Sequence, residues 1–90
     1  MTFEWDSAKA RRNLRKHGIS FEEAMTVFRN PLAQSYDDPD GLSPEQRSIT
    51  MGLSDRHKLL VVVHCERGDG IRIISARRAM RREVRSYEEG

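Results

Sequence analysis

Leu59-Leu60-Val61-Val62-Val63-His64-Cys65-Glu66, then Arg67-Gly68-Asp69-Gly70, then Ile71-Arg72-Ile73-Ile74-Ser75-Ala76-Arg77 is the stretch that decides the fold. Two runs rich in valine and isoleucine, joined by a short glycine-containing connection, read as antiparallel neighbours in a sheet. Arg47 to Leu53 reads as a third strand, reaching Leu59 through the short connection Ser54-Asp55-Arg56-His57-Lys58. Leu32 to Tyr36 fits a fourth, and Asp37 to Pro44 an acidic turn with two prolines and a glycine.

Working outward, Phe3-Glu4-Trp5 reads as a short extended segment, with Trp5 an anchor for the N-terminus. Asp6 or Ser7 can cap a helix to about Lys16, and Gly18 supplies its stop. Ser20 opens a second helix, with Glu23 at the spacing of a capping box. Phe21, Ala24, Met25 and Phe28 share its apolar face, and Asn30-Pro31 ends it. A last helix is expected from about Arg78 to Tyr87, with Ser75 as its cap and an anion site at the first-turn amides beside Arg77 and Arg78. Within it Arg78 and Arg82, and Arg81 and Arg85, would be like-charge pairs at i,i+4, which an acidic partner would relieve. The expected architecture is α+β: two N-terminal helices, an antiparallel sheet of three to four strands, and a C-terminal helix.

Residues 1–90 are long enough for one small core and are read as a single domain. The net charge of +2 is modest, but arginine outnumbers lysine thirteen to three, which favours bidentate contacts with phosphate or carboxylate. Six of those arginines fall between Arg72 and Arg85. The lone Cys65 cannot form an internal disulfide and suits the cytoplasm. The N-terminus lacks the pattern of a signal peptide, and Leu59 to Val63 is too short to span a membrane. His17, His57 and His64 are scattered without ligand spacing, so no metal or cofactor is expected.

Polarity suggests a register. If Ser54 opposes Lys58 and Glu66 opposes Gly70, then Ile49, Met51, Leu53, Leu59, Val61, Val63, Cys65, Ile71 and Ile73 share one face against the helices. A slip by one in the second hairpin would set Arg72 beside Val63 and Cys65 and threaten to bury a charge. In the preferred register Ser48, His64 and Arg72 form a row on the opposite face, with Glu66 one step along and Leu60, Val62 and Ile74 beside it. A base, a fixed cation and a carboxylate are the groups that metal-free RNA cleavage needs. The bland alternative is a polar sheet face turned to water. Tyr87 follows Met80 and Val84 at the spacing of an apolar helix face, so packing competes there with RNA stacking or proton relay. Lys16 can contact phosphate or simply solvate its helix.

Phe3-Glu4-Trp5-Asp6, Lys9, Asn13, Lys16-His17-Gly18, Phe21-Glu22-Glu23-Ala24 and Phe28 resemble the opening of the BrnT toxin family. Ile71 to Ala79, Arg82-Glu83 and Tyr87 resemble its close, with Arg47 and Gly52 between. The resemblance implies a RelE-like ribonuclease toxin of a type II toxin–antitoxin system, which arrests growth through RNA cleavage and blocked protein synthesis. It also implies a BrnA-like antitoxin with a ribbon-helix-helix domain, operator DNA reached only through that antitoxin, and a heterotetramer of two toxins and two antitoxins. Candidate catalytic residues are Arg72, Arg77 and Arg78 as cations, His64 or Glu66 as base, and Tyr87. Candidate RNA contacts are Arg47, Lys16, Arg81 and Arg82. A basic scaffold that binds the antitoxin as a co-repressor, without catalysis, is the competing expectation.

Overall fold

The computed structural model describes residues 2–37 and 47–90, so most of the expected acidic turn lies outside the described residues. In chain order the elements are β1 (Thr2–Glu4), α1 (Ser7–His17), α2 (Phe21–Thr26) with a 3-10 turn at Val27–Arg29, β2 (Gln34–Asp37), β3 (Arg47–Leu53), β4 (Leu59–Arg67), β5 (Gly70–Arg78) and α3 (Arg81–Glu89). The strands form one sheet in the order β1-β5-β4-β3-β2. It has five strands rather than three or four, because Thr2–Glu4 pairs in parallel with Gly70, Ile71 and Arg72.

The helix ends follow their local chemistry. Asp6 accepts from the Ala8 and Lys9 amides, and Gly18 closes α1 in the left-handed region at φ 71. The Ser20 hydroxyl accepts from the Glu23 amide at 3.0 Å. The reciprocal half of the capping box is missing: the buried Glu23 carboxylate takes the Ser54 hydroxyl at 2.7 Å and lies 3.8 Å from Lys58. α2 is shorter than expected, six residues before the chain tightens into the 3-10 turn.

The first hairpin has the expected register, with Leu53 opposite Leu59 and the Ser54 amide donating to the Lys58 carbonyl at 2.8 Å. The second does not. Arg67 pairs with Gly70 across the two-residue loop Gly68-Asp69, and Arg72 stands opposite Cys65. A bulge between Val63 and His64 leaves Ile74 as the extra residue of β5. The face against α1 and α2 therefore carries Thr50, Gly52, Leu60, Val62, His64, Ile71, Ile73 and Ala76. Ile49, Met51, Leu53, Leu59, Val61, Val63 and Cys65 lie on the far face, the reverse of the sequence expectation. Alternation could not decide between them, because Leu60 and Val61, on opposite faces, are 0% and 2% exposed. The feared burial of Arg72 does not arise, since β5 lies next to an edge strand and its guanidinium reaches Glu4.

On the helix face Leu60, Val62, Ile71, Ile73 and Ala76 pack with Ile19, Phe21, Ala24 and Val27. Trp5 meets Phe21 edge-on with centroids 5.9 Å apart, anchoring the N-terminus as expected. Gly52 is required there: a Cβ would stand 2.9 Å from the Ala33 Cβ and 3.1 Å from a Val27 methyl. Asn13 joins α1 to the sheet edge beyond the end of β1. Its amide donates to the carbonyls of Ile19 at 2.9 Å and Ala76 at 2.8 Å, and its oxygen accepts the Ala76 amide at 3.1 Å.

α3 begins at Arg81 rather than Arg78, because β5 stays paired to β4 as far as Leu60 opposite Arg78. Ser75, Arg77 and Arg78 are strand residues, so the expected cap and first-turn anion site do not exist, and Arg78 no longer pairs with Arg82 along a helix. The first turn is closed by Glu83, which accepts the Met80 amide at 2.8 Å. No residue of α3 is buried.

Candidate nucleic-acid interface on the far sheet face

The register that corrects the expected row builds another. Arg47 on β3, Cys65 on β4 and Arg72 on β5 are successive cross-strand partners, and Glu4 on β1 follows Arg72. All four share the face turned away from α1 and α2. Cys65 is buried between the two half-buried arginines. The Arg72 guanidinium lies 3.4 Å from the Glu4 carboxylate, an exposed pair that a phosphate could displace at small cost. Among the described residues the buried Arg47 Nε has no hydrogen-bond partner. An arginine nitrogen left so has donor capacity to spare for an acceptor oxygen.

Further along the same face, Arg77 grips α3. Its two terminal nitrogens meet the Glu83 oxygens at 2.7 and 2.9 Å, a bidentate pair. The hydrogen bond from Arg77 holds the Glu83 carboxyl below its ordinary range, and Glu83 holds the Arg77 guanidinium further above its own. The Tyr36 phenol adds a smaller electrostatic effect on Arg77 and so marks the β2 side of this surface. Tyr87 is half-buried and donates its hydroxyl to the Leu32 carbonyl at 3.0 Å, tying α3 to the segment before β2. A Cβ on Gly90 would stand 2.9 Å from the Gln34 amide nitrogen, which places the end of α3 beside β2.

The expected base candidates stand elsewhere. His64 keeps Ser48 as its cross-strand partner but faces Ile73 on β5, so the row Ser48–His64–Arg72 is not formed. The His64 Nε2 lies 2.7 Å from the Thr50 hydroxyl, which in turn lies 2.7 Å from the Ser35 hydroxyl. Its ring stands edge-on to Phe28 at 4.9 Å, and the buried Nδ1 has no partner among the described residues. Burial pushes the His64 pKa down, with Glu66 opposing weakly from the same strand. Glu66 is exposed at the sheet end, opposite Ile71 and also on the helix side. Arg78 is exposed at the other end opposite Leu60, and Arg81 and Arg82 are exposed in the first turn of α3.

Lys16 is on α1, outside the row itself, where it lines a cavity with Ile74 and Ser75 at the β5 edge. Among the described residues no cluster of three or more His, Cys, Asp or Glu is placed to hold a metal, and no helix is long and apolar enough to cross a membrane. Sequence reasoning missed Glu4 as the partner of Arg72 and Asn13 as the clasp on the sheet edge. It also missed Thr50 as the partner of His64. Gly52 was the available signal, since a glycine inside a strand marks a close backbone approach and hence the helix side.

A model of the family described as ribonuclease toxin, BrnT, of type II toxin–antitoxin systems matches residues 5–83. Comparison with curated protein sequences finds no match. Among solved structures, the 1.1 Å crystal structure of the Brucella abortus ribonuclease toxin BrnT is similar at a TM-score of 0.71. The match covers 90% of this chain and 99% of that one at 21% sequence identity, a likeness of fold.

Proposed function

The chain belongs to the BrnT family of type II toxin–antitoxin ribonuclease toxins, and from that premise we propose that it is a metal-independent endoribonuclease that cleaves RNA and blocks protein synthesis. A BrnA-like ribbon-helix-helix antitoxin holds it inactive in the cytoplasm as a complex with two copies of each chain. Operator DNA is reached only through the antitoxin. The observation that carries the reading is the pair of arginines, Arg47 and Arg72, on one face of three adjacent strands.

In such a cleavage the 2′-oxygen attacks phosphorus, its proton passes to a base, and the 5′-oxygen leaves with a proton from an acid. Charge builds on the non-bridging oxygens, and guanidinium groups fixed in a sheet stabilise it without reorganising. Arg72 and Arg47 take that role. Glu4 is a carboxylate on the same face in contact with Arg72, which makes it the proton acceptor we favour over His64 and Glu66 on the helix side. Arg77 positions α3 through Glu83, and Tyr87 stacks or relays at the edge of the same surface. Arg81 and Arg82 contact the RNA backbone from α3, whereas Arg78 stands at the sheet end away from the row.

Expression of the chain alone tests the reading. Wild type should arrest growth with fragmented transcripts, and a folded Arg72→Ala variant should lose both effects. Arrest with intact RNA would sink it. Cleavage by the purified protein should survive excess chelator, and abolition would remove the metal-independent part.

One observation favours the scaffold alternative. Both terminal nitrogens of Arg77, an expected catalytic cation, are occupied by Glu83. If wild type leaves RNA intact yet increases the antitoxin's affinity for operator DNA, the scaffold reading replaces the nuclease.

A further inference from the structure

α1 presents Lys9, Arg12, Asn13, Lys16 and His17 along one stripe, the i, i+3, i+4, i+7 spacing that usually carries apolar residues toward a core. Together with Ile74 and Ser75 of β5 they line a cavity of about 230 Å³. Four of the seven lining residues are basic types and none is acidic. Lys9, Arg12 and Lys16 are exposed, and among the described residues none forms an ion pair. Lys9 and Arg12, and Arg12 and Lys16, are like charges one helical turn apart, which disfavours the helix. Lys9 sits in a first turn whose nearest carboxylate is the Asp6 cap, which offsets the charge of Lys9 but not that of Arg12 or Lys16. A bound anion would relieve both like-charge pairs.

The cavity has a defined place in the fold. β1 covers the outer edge of β5 only over Gly70–Arg72, and Asn13 takes over that edge at Ala76. Between them the edge at Ile74 and Ser75 is bordered by the basic stripe. Ser75 pairs with Val63 on the far face, between Arg72 and Arg77. At about 3.3 Å per residue, Ser75 is about 10 Å along the strand from Arg72. A single strand of RNA lying over Arg47 and Arg72 that turns across the β5 edge would meet this cavity within a few nucleotides.

We propose that the cavity between α1 and the β5 edge is a second, non-catalytic phosphate site that holds the RNA backbone outside the scissile bond. Arg12 and Lys16 are its main contacts, with Lys9, His17 and Ser75 around them. The proposal rests on the ribonuclease reading. Phosphate is favoured over the carboxylates of an antitoxin because the site opens beside the arginine row through Ser75.

The test uses two charge-matched double variants of the full chain. Arg12→Gln with Lys16→Gln removes the stripe, while Arg11→Gln with Arg15→Gln removes the same charge from the opposite side of α1. Binding of a non-cleavable 2′-O-methyl single-stranded oligonucleotide is measured across a salt series, with affinity for the purified antitoxin alongside. The first pair should weaken RNA binding about tenfold and flatten the log Kd against log salt slope by about 0.7 for each phosphate no longer neutralised. The second pair should stay within about twofold of wild type, and the thermal midpoint of the first should not fall. Equal effects of the two pairs, or a loss confined to antitoxin binding, would overturn the site. If wild type binds and cleaves RNA while the first pair does both equally well, only the second site fails. If wild type binds no RNA, the ribonuclease reading fails with it.

Discussion

The two faces of the sheet are closed in different ways. The helix face is sealed by apolar packing, and most of its polar groups are paired, as Thr50 is with His64 Nε2 and Asn13 with the Ala76 backbone. The far face carries Arg47, Cys65 and Arg72 in a row and is closed in part by α3, a helix with no buried residue that is held through Glu83 and Tyr87. The contiguous apolar core cluster lies on the first face. The second keeps charge at a surface where a long anion could lie.

That contrast can be broken from either side. Phe21→Ala on the helix face should cost about 3–5 kcal/mol in stability, enough to unfold much of the population in a denaturant titration. Arg72→Ala on the far face should leave the denaturation midpoint almost unchanged while RNA cleavage falls about 10²–10³-fold. A large loss of stability in that variant would show that the row is structural. Asn13→Ala should cost about 1–3 kcal/mol, because buried Ala76 backbone groups lose their partner, and hydrogen exchange at the β5 edge should speed up first. Glu83→Gln should cost at most about 1 kcal/mol, since the Arg77 and Glu83 side chains are 35% and 20% exposed.

pH should separate the faces with smaller effects still. Burial favours neutral His64, so below about 6.5 the unfolded chain takes the proton first and stability declines as pH falls. Glu83 titrates below its ordinary 4.5, so the stability it supplies is present above that value and is lost as pH falls through its folded pKa. Melting temperatures from pH 7.5 to 3 should show both declines. His64→Gln should remove the upper one, and Glu83→Gln should shrink only the lower, which the Asp6 cap also feeds; one variant abolishing both would mean the faces are coupled.

What the sequence made legible follows the range of the interactions. The Asp6 and Ser20 caps, the Gly18 stop and the first hairpin register are local, and they are found as read. β1 is legible as extended but not as a paired strand, because its partner is almost seventy residues away. The second hairpin misled because Leu59 to Val63 is apolar on both faces, so a rule that assigns polar residues outward had nothing to act on. Gly68-Asp69, a two-residue hairpin signal, pointed to the observed turn. Arg72 is legible as a candidate, but its neighbours depend on that register, so polarity alone sets Ser48 and His64 beside it instead of Arg47 and Cys65. Arg78 and Ala79 are compatible with a helix, yet pairing along β4 keeps Arg78 in the strand.

Ile74, the extra residue of β5, has a consequence for the two arginines that flank it. Arg72 and Arg77 are an odd number of positions apart, so an unbroken strand would send them to opposite sides of the sheet. One inserted residue shifts the alternation by a single step. The first half of the strand can then give Ile71 and Ile73 to the core and Arg72 to the far face, while the second half gives Ala76 to the core and Arg77 to that same far face. A strand that kept Ile74 in regular alternation, with no bulge, would have to choose which arginine to keep outside.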